Sequence, residues 1–196
     1  MTVGTEPALR ERVLEAAYEC VARFGLAKTT VEDVAKQAGV SRATVYRVFP
    51  GGKDELLRAG VGWEMGRFFA RLAEAVADSP DFATLVEAGL TFAHDAMRSH
   101  EVLQKVLAAE PERLLPLLTT EQERPLAFIT AFLLPYLERE AQAGRLADGV
   151  ELGESADFVA RMILALITSP GSWDLDDPQQ VRVVVRDQVL AGILRI

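Results

Sequence analysis

The sequence predicts an all-α protein: an N-terminal three-helix helix-turn-helix head, followed by a C-terminal helical bundle. Three observations predict it. Apolar residues recur three and four apart along most of the 196-residue chain, which is the period of a helix with one buried face. The stretch Thr29–Phe49 reads as two short amphipathic helices joined by a glycine turn. Finally, VRVVVR at 181–186 has the β-branching and alternation of a strand, but no second strand is evident to pair with it. That segment is therefore assigned to a helix.

Composition narrows the class. The chain is 49% hydrophobic and 26% charged, the profile of a folded soluble protein. It has no apolar run long enough to span a bilayer, and MTVGTEPALRERV lacks the basic-then-apolar order of a signal peptide. Cys20 is the single cysteine and falls within an apolar helical pattern, as a small core residue does. A cytoplasmic protein is expected. Net charge is −8, split unevenly: residues 1–60 carry nine Lys/Arg against eight Asp/Glu, and the remainder twelve against twenty-one. An acidic C-terminal part is repelled by polyanions, so any nucleic-acid contact belongs to the head.

Taken in order, residues 1–8 read as a frayed arm. Helix one spans Leu9 to Phe24, with Val13, Ala16, Ala17, Cys20, Val21 and Phe24 inward and Gly25 closing it. Thr30 caps helix two, and Asp33 is placed to reach back as in a capping box. Val31, Val34, Ala35 and Ala38 form its inner face. Gly39 ends it where a left-handed backbone is cheapest. Val40 plugs the turn and Ser41 caps helix three. That helix, Arg42 to Phe49, turns Val45, Val48 and Phe49 inward.

The face left outward is Arg42, Ala43, Thr44, Tyr46 and Arg47. In DNA-binding versions of this motif the second helix enters the major groove. Two arginines suit guanine edges or phosphates, while alanine and threonine are small enough to touch base edges. The Tyr46 hydroxyl and Lys53, at the start of the next helix, suit phosphate oxygens. With Thr30 and Ser41 at the two caps, these eight residues form the expected contact set for double-stranded DNA.

Thr30, Val34 and Ala35, then Gly39-Val40-Ser41, Thr44-Val45-Tyr46 and Phe49, and finally Lys53-Asp54-Glu55-Leu56 resemble the DNA-binding domain of the tetracycline-repressor (TetR) family. The resemblance covers roughly residues 9 to 58. It implies a head over residues 1–52 and a ligand-binding and dimerisation domain over residues 53–196. It also implies a ligand-responsive transcriptional regulator, a repressor, released from a palindromic operator by a small hydrophobic molecule. Pro50-Gly51-Gly52 departs from the family pattern, which often places Ser or Asn before the lysine. Gly52 is a weaker cap, so a looser helix start is expected.

Beyond the head, a long helix runs from Lys53 to Ala77, thinned by Gly60, Gly62 and Gly66, which suit close helix packing or bending. Ser79-Pro80-Asp81 opens a helix to Met97, and Val102–Glu110 is a shorter one. Pro111 and Pro116 punctuate a brief segment. Glu121–Ala143 is helical, with Pro135 in its interior expected to kink or break it. Gly144 and Gly149 mark a loop, Ser155 caps a helix to Thr168, and the last helix spans Pro178 to Arg195. The Ser155–Thr168 helix is apolar nearly all round, and the last helix shows a similar excess. A homodimer interface through Val159, Ile163, Ile167, Val185 and Val189 is expected, because such helices need cover on two sides.

The implied ligand pocket is assigned to Trp63, Phe69, Phe92, His94, Phe128, Phe132 and Met162, beside the expected kink. No enzyme is read. His94 and His100 lie six apart, off the spacing of a helical metal pair, and neither a phosphate loop nor a nucleophile elbow is present. Neither cofactor nor metal is expected. The competing reading, a helical small-molecule-binding protein or enzyme bundle without a DNA role, leaves Arg42, Tyr46, Arg47 and Lys53 unexplained.

Overall fold

The computed structural model describes residues 6–112 and 123–195. Its elements are α1 (Glu6–Phe24), α2 (Val31–Gln37), α3 (Arg42–Val48), α4 (Gly52–Val76), α5 (Phe82–Ser99) and α6 (Glu101–Ala109). They continue with α7 (Glu123–Gln142), α8 (Leu152–Thr168) and α9 (Pro178–Val183), the last running on as a π-helical turn, Val184–Val189. The sequence positions Pro116 and Glu121 lie outside the described residues. Among those described, the extended pairing is limited to isolated bridges, such as Leu146 with Leu194. No helix among them is long and apolar enough to cross a membrane.

The chain forms two compact units. The first joins residues up to Ala70 with the segment that begins at His100. The second joins Arg71–Ser99 with the described residues from 123 onward. Contacts thus group α6 and most of α4 with the head, a wider grouping than residues 1–52.

In the first unit, α1 packs on α2 and α3. Val13, Val34, Val45 and Phe49 are all fully buried where the three helices meet. Helix α1 begins three residues before Leu9, because Pro7 fits the first turn of a helix, where its missing N–H costs nothing. A second cluster seats α6 on α1 through Val21, Leu26 and Val106. In the second unit, α7 packs along α8, and α5 meets α8, α9 and the π-turn. Leu90, Leu137, Val159 and Val185 are fully buried there.

Several expected boundaries shift for reasons visible at the helix ends. Within Ser79-Pro80-Asp81 it is Asp81 that caps α5, its Oδ1 accepting the Thr84 N–H at 2.7 Å. Glu151 rather than Ser155 caps α8, its carboxylate accepting the Glu154 N–H at 2.6 Å. His100 caps α6 through Nδ1, which accepts the Leu103 N–H at 3.0 Å. Helix α7 runs through Pro135 without a break. The chain leaves the helical path at Leu190, well before Arg195, and Arg195 instead donates its N–H to the Arg145 carbonyl at 2.9 Å.

Gly60, Gly62 and Gly66 were expected to serve close packing or bending. A Cβ at any of them would meet no atom within 4 Å outside its own helix turn among the described residues, so close packing against those residues does not explain them. Because a helical glycine costs about 0.5–1 kcal/mol relative to alanine, Gly62→Ala and Gly66→Ala should each raise stability by that amount. Chemical denaturation of the two variants checks this, with an unchanged or lower midpoint as the contrary result.

Candidate nucleic-acid interface

The interface is built from local rules. Thr30 Oγ1 accepts the Asp33 N–H at 3.1 Å, and Asp33 Oδ2 accepts the Thr30 N–H at 3.1 Å, so the capping box is complete. The Thr30 hydroxyl also donates to that carboxylate at 2.6 Å. These hydrogen bonds, the hydroxyl one foremost, hold the Asp33 carboxyl below the ordinary aspartate range. At the other end of α2, Gly39 takes φ +65°, the left-handed backbone that turns the chain toward α3. Val40 returns its N–H to the Ala35 carbonyl at 2.9 Å. Ser41 then caps α3, accepting the Thr44 N–H at 3.1 Å.

Helix α3 is oriented by what it buries. Val45 and Phe49 have no exposed surface, and at 100° per residue this drives Arg42, Ala43, Tyr46 and Arg47 to solvent, with Thr44 half-buried. Arg42 lies 3.5 Å from Glu32 on α2, in a pair with both side chains well exposed, so its value to stability is small. Arg10 of α1 lies over the Phe49 ring, 4.4 Å from its centre, and its Nη1 donates to the Val48 carbonyl at 3.4 Å.

The start of α4 is firmer than the glycine pair suggests. Glu55 Oε2 accepts the Gly51 N–H at 2.7 Å, and the Gly52 N–H reaches the Phe49 carbonyl at 2.9 Å. Gly52 sits at φ +63°, and a Cβ there would stand 3.2 Å from the Tyr46 ring. The glycine therefore serves both the backbone turn and the placement of an outward side chain. Lys53 does not hang free, since its Nζ donates to the Ala27 carbonyl at 2.9 Å. The sequence offers Arg10 only as a further phosphate contact and Glu55 only as part of the Lys53–Leu56 motif; neither structural role is read there. For Glu55, a glutamate four residues after Gly51 is a readable signal, while the role of Arg10 rests on a contact between distant helices.

The residues expected to line a ligand pocket divide between the units. Trp63 and Phe69 belong to the first, and Phe92, His94, Phe128, Phe132 and Met162 to the second. Trp63 stands edge-on to Tyr18, ring centres 6.4 Å apart, and Phe69 to Phe68 at 5.4 Å. His94 Nε2 lies 3.5 Å from Asp176, which also pairs with Arg98. Phe132 contacts Tyr136, ring centres 5.4 Å apart, Phe92 and Met162 are half-buried, and Phe128 is 55% exposed. A cleft of about 420 Å³ does exist in the first unit, but Arg23, Phe24, Lys28, Lys105 and Glu110 are among its walls and none of those seven is.

The expected dimer residues are corrected. Val159, Ile163, Val185 and Val189 are buried within the chain's own core, and Ile167 is half-buried. Apolarity on two sides of a helix does not tell which side its own chain covers. The more exposed side of α8 carries Phe158 and Ala165, with Met162 half-buried between them, and that of α7 carries Phe128, Ala131 and Pro135, each at helical spacing.

Residues 13–59 match the family model described as bacterial regulatory proteins, tetR family. The chain is 35% identical over 81 residues to the HTH-type transcriptional regulator BetI 1 of Chromohalobacter salexigens, covering 40% of each chain. It is 31% identical over 102 residues to an uncharacterised HTH-type transcriptional regulator of Mycobacterium bovis, covering 52% of this chain and 51% of that one. The matched stretch thus spans about half or less of those relatives' own length. In three dimensions the chain is similar to SmeT, the repressor of the Stenotrophomonas maltophilia multidrug efflux pump SmeDEF. That likeness has a TM-score of 0.60 at 24% identity over 95% of this chain and 90% of that one. The SmeT–triclosan complex gives 0.58 at 22% identity, over 96% and 92%.

The cap is testable by titration. In Thr30→Val the Asp33 carboxyl loses its hydroxyl partner and its pKa should rise toward the ordinary aspartate value. A carboxyl with a lowered folded-state pKa contributes stability that is present above its unfolded pKa and is lost as pH falls through the folded one. The variant should therefore lose less stability than the wild type as pH falls through that interval. Carboxyl-carbon NMR titration follows the group directly, and an unshifted Asp33 would show that the Thr30 hydroxyl is not what holds it.

Proposed function

We propose that this chain, which belongs by its head domain to the TetR family of bacterial regulatory proteins, is a ligand-responsive repressor that binds operator DNA as a homodimer. One observation carries the reading: burial of Val45 and Phe49 forces Arg42, Ala43, Tyr46 and Arg47 of α3 onto a single exposed face. The face offers two cations, a phenol and a small residue, the mixture that reads base edges and grips phosphates. Arg47 is the proposed base reader. Arg42, Tyr46 and Lys53 take phosphates, with Ala43 and Thr44 at base edges and the caps of Thr30 and Ser41 setting the approach.

Fluorescence anisotropy against the duplex upstream of its own gene tests this across a salt series. Arg47→Ala should cost about 1–3 kcal/mol and relax the preference at one base pair. Wild-type affinity in that variant, or binding that ignores salt, would count against DNA readout.

The dimer is proposed through the uncovered faces of α7 and α8 rather than through the Val185 and Val189 side. A two-fold pair would set two recognition helices about 34–36 Å apart on a palindromic site. Phe158 at 45% exposure and Phe128 at 55% are the exposed aromatics there. Phe158→Asp should yield a folded monomer in sedimentation at micromolar concentration, whereas Val185→Ala should lower stability and leave the association state alone. A dimeric Phe158→Asp protein would move the interface elsewhere.

The ligand half of the proposal rests on likeness: SmeT has been captured in complex with triclosan. Phe92, His94, Phe132 and Met162, all of the second unit, remain the proposed lining of a hydrophobic ligand site. A small apolar compound that releases the protein from its duplex supports it.

A further inference from the structure

The turn between α1 and α2 is gripped from two sides at one residue. On one side, Glu110 at the end of α6 accepts the Ala27 N–H through Oε2 at 2.7 Å. On the other, Lys53 at the start of α4 donates its ammonium to the Ala27 carbonyl at 2.9 Å. The two partners lie 83 and 26 residues from Ala27 in sequence, so neither contact follows from local turn chemistry.

The turn is shaped to receive that carboxylate. Gly25 takes φ +85°, and a Cβ on it would stand 2.3 Å from Glu110 Oε1. Any side chain at 25 would evict the carboxylate as well as strain the backbone. Thr29, 2% exposed, locks the turn from inside by donating its hydroxyl to the Gly25 carbonyl at 2.7 Å. Beneath it, Leu26 and Val21 pack on Val106 of α6. A turn earlier on α6, Lys105 Nζ donates to the Ala22 carbonyl at 2.7 Å, one of the acceptors a helix end leaves unpaired. Helix α6 therefore offers a donor to the end of α1 and an acceptor to the N–H just beyond it.

We propose that Glu110 is a positioning residue for the DNA-facing surface: it fixes the Ala27 peptide and, through the Ala27 carbonyl, the ammonium of Lys53. The proposal rests on the reading that Lys53 meets phosphate. A lysine ammonium has three donors. One is spent on Ala27, which aims the other two and removes much of the rotamer freedom that a long side chain otherwise loses on binding. The placement of α6 is thereby felt at a phosphate contact without passing along α4.

The experiment uses the full chain with Glu110→Ala, Glu110→Gln, Lys53→Met and the double variant Glu110→Ala/Lys53→Met. Glutamine keeps an acceptor oxygen, so it is the conservative rescue. Amide exchange followed by NMR should show Ala27 exchanging about tenfold or more faster in Glu110→Ala, and near the wild-type rate in Glu110→Gln. An unchanged Ala27 rate in Glu110→Ala overturns the clamp.

Anisotropy on the duplex upstream of the gene, over a salt series, reads the second link. Lys53→Met should lower the salt slope by about one. Glu110→Ala should lower it in the same sense, and the double variant should match Lys53→Met alone. Independent, additive losses overturn the link to Lys53, as does an unchanged slope in Glu110→Ala with Ala27 freed. Should the wild-type protein bind no duplex at all, the repressor reading fails. The clamp is then judged by Ala27 exchange and the Lys53 side-chain resonances, which must shift in Glu110→Ala for it to stand.

Discussion

The packing of α1 across α2 and α3 is the constraint on which the head depends. Val13 of α1, Val34 of α2, and Val45 and Phe49 at the end of α3 share one core without exposed surface. A seven-residue helix such as α3 is too short to be stable alone in water. Its existence and its rotation about its own axis are both set by that burial. Once Val45 and Phe49 face inward, the helical period leaves no choice about where Arg42, Tyr46 and Arg47 point. The chemistry of the outward face is thus a consequence of apolar packing, and a change at Val45 would disturb it as surely as a change at Arg47.

Packing fixes which face is buried, and helix ends fix where each helix stops. Side chains fill this role through much of the described chain: Thr30 and Asp33 at α2, Ser41 at α3, Glu55 at α4, Asp81 at α5, His100 at α6 and Asp177 at α9. The short helices of the head gain most from this, since a cap worth about 1 kcal/mol is a large share of what a two-turn helix can contribute. The Ala27 turn extends the same logic between elements. Glu110 and Lys53 satisfy a backbone donor and acceptor that no helix ladder would reach.

The head was legible in the sequence because its signals are local. A threonine with an aspartate three on, a glycine, a serine and two valines at helical spacing each carry their own geometry, and the structure places them as the spacing requires. The α8 cap was misread because serine is the commoner cap, while Glu151 does the same work with a longer arm. The dimer residues are hard to read from sequence for a different reason. Val159 and Phe158 are neighbours of similar hydrophobicity, and only the position of α7 and α5 decides which is covered. Likewise, nothing local marks Ala27 as the residue that α4 and α6 both reach.

The segment 181–186 shows how such an ambiguity resolves. As a strand, Arg182, Val184 and Arg186 would share one face, which puts a valine among charges. As a helix, the two arginines, four apart, fall on one side and Val184 on another. Both arginines turn to Glu87 of α5, Arg186 at 2.5 Å and Arg182 at 3.9 Å, while Val184 is 2% exposed. The chain then widens into a π-turn, its Leu190 N–H reaching back to the Val185 carbonyl at 2.8 Å. Five residues per hydrogen bond rather than four carry Val181, Val184, Val185, Val189 and Leu190 all into the core, a wider apolar stripe than an α-helix of that length would bury. The run of valines is therefore a helical core sequence whose width demanded the looser turn, and the separation of its arginines from Val184 is the sequence feature that distinguishes it from a strand.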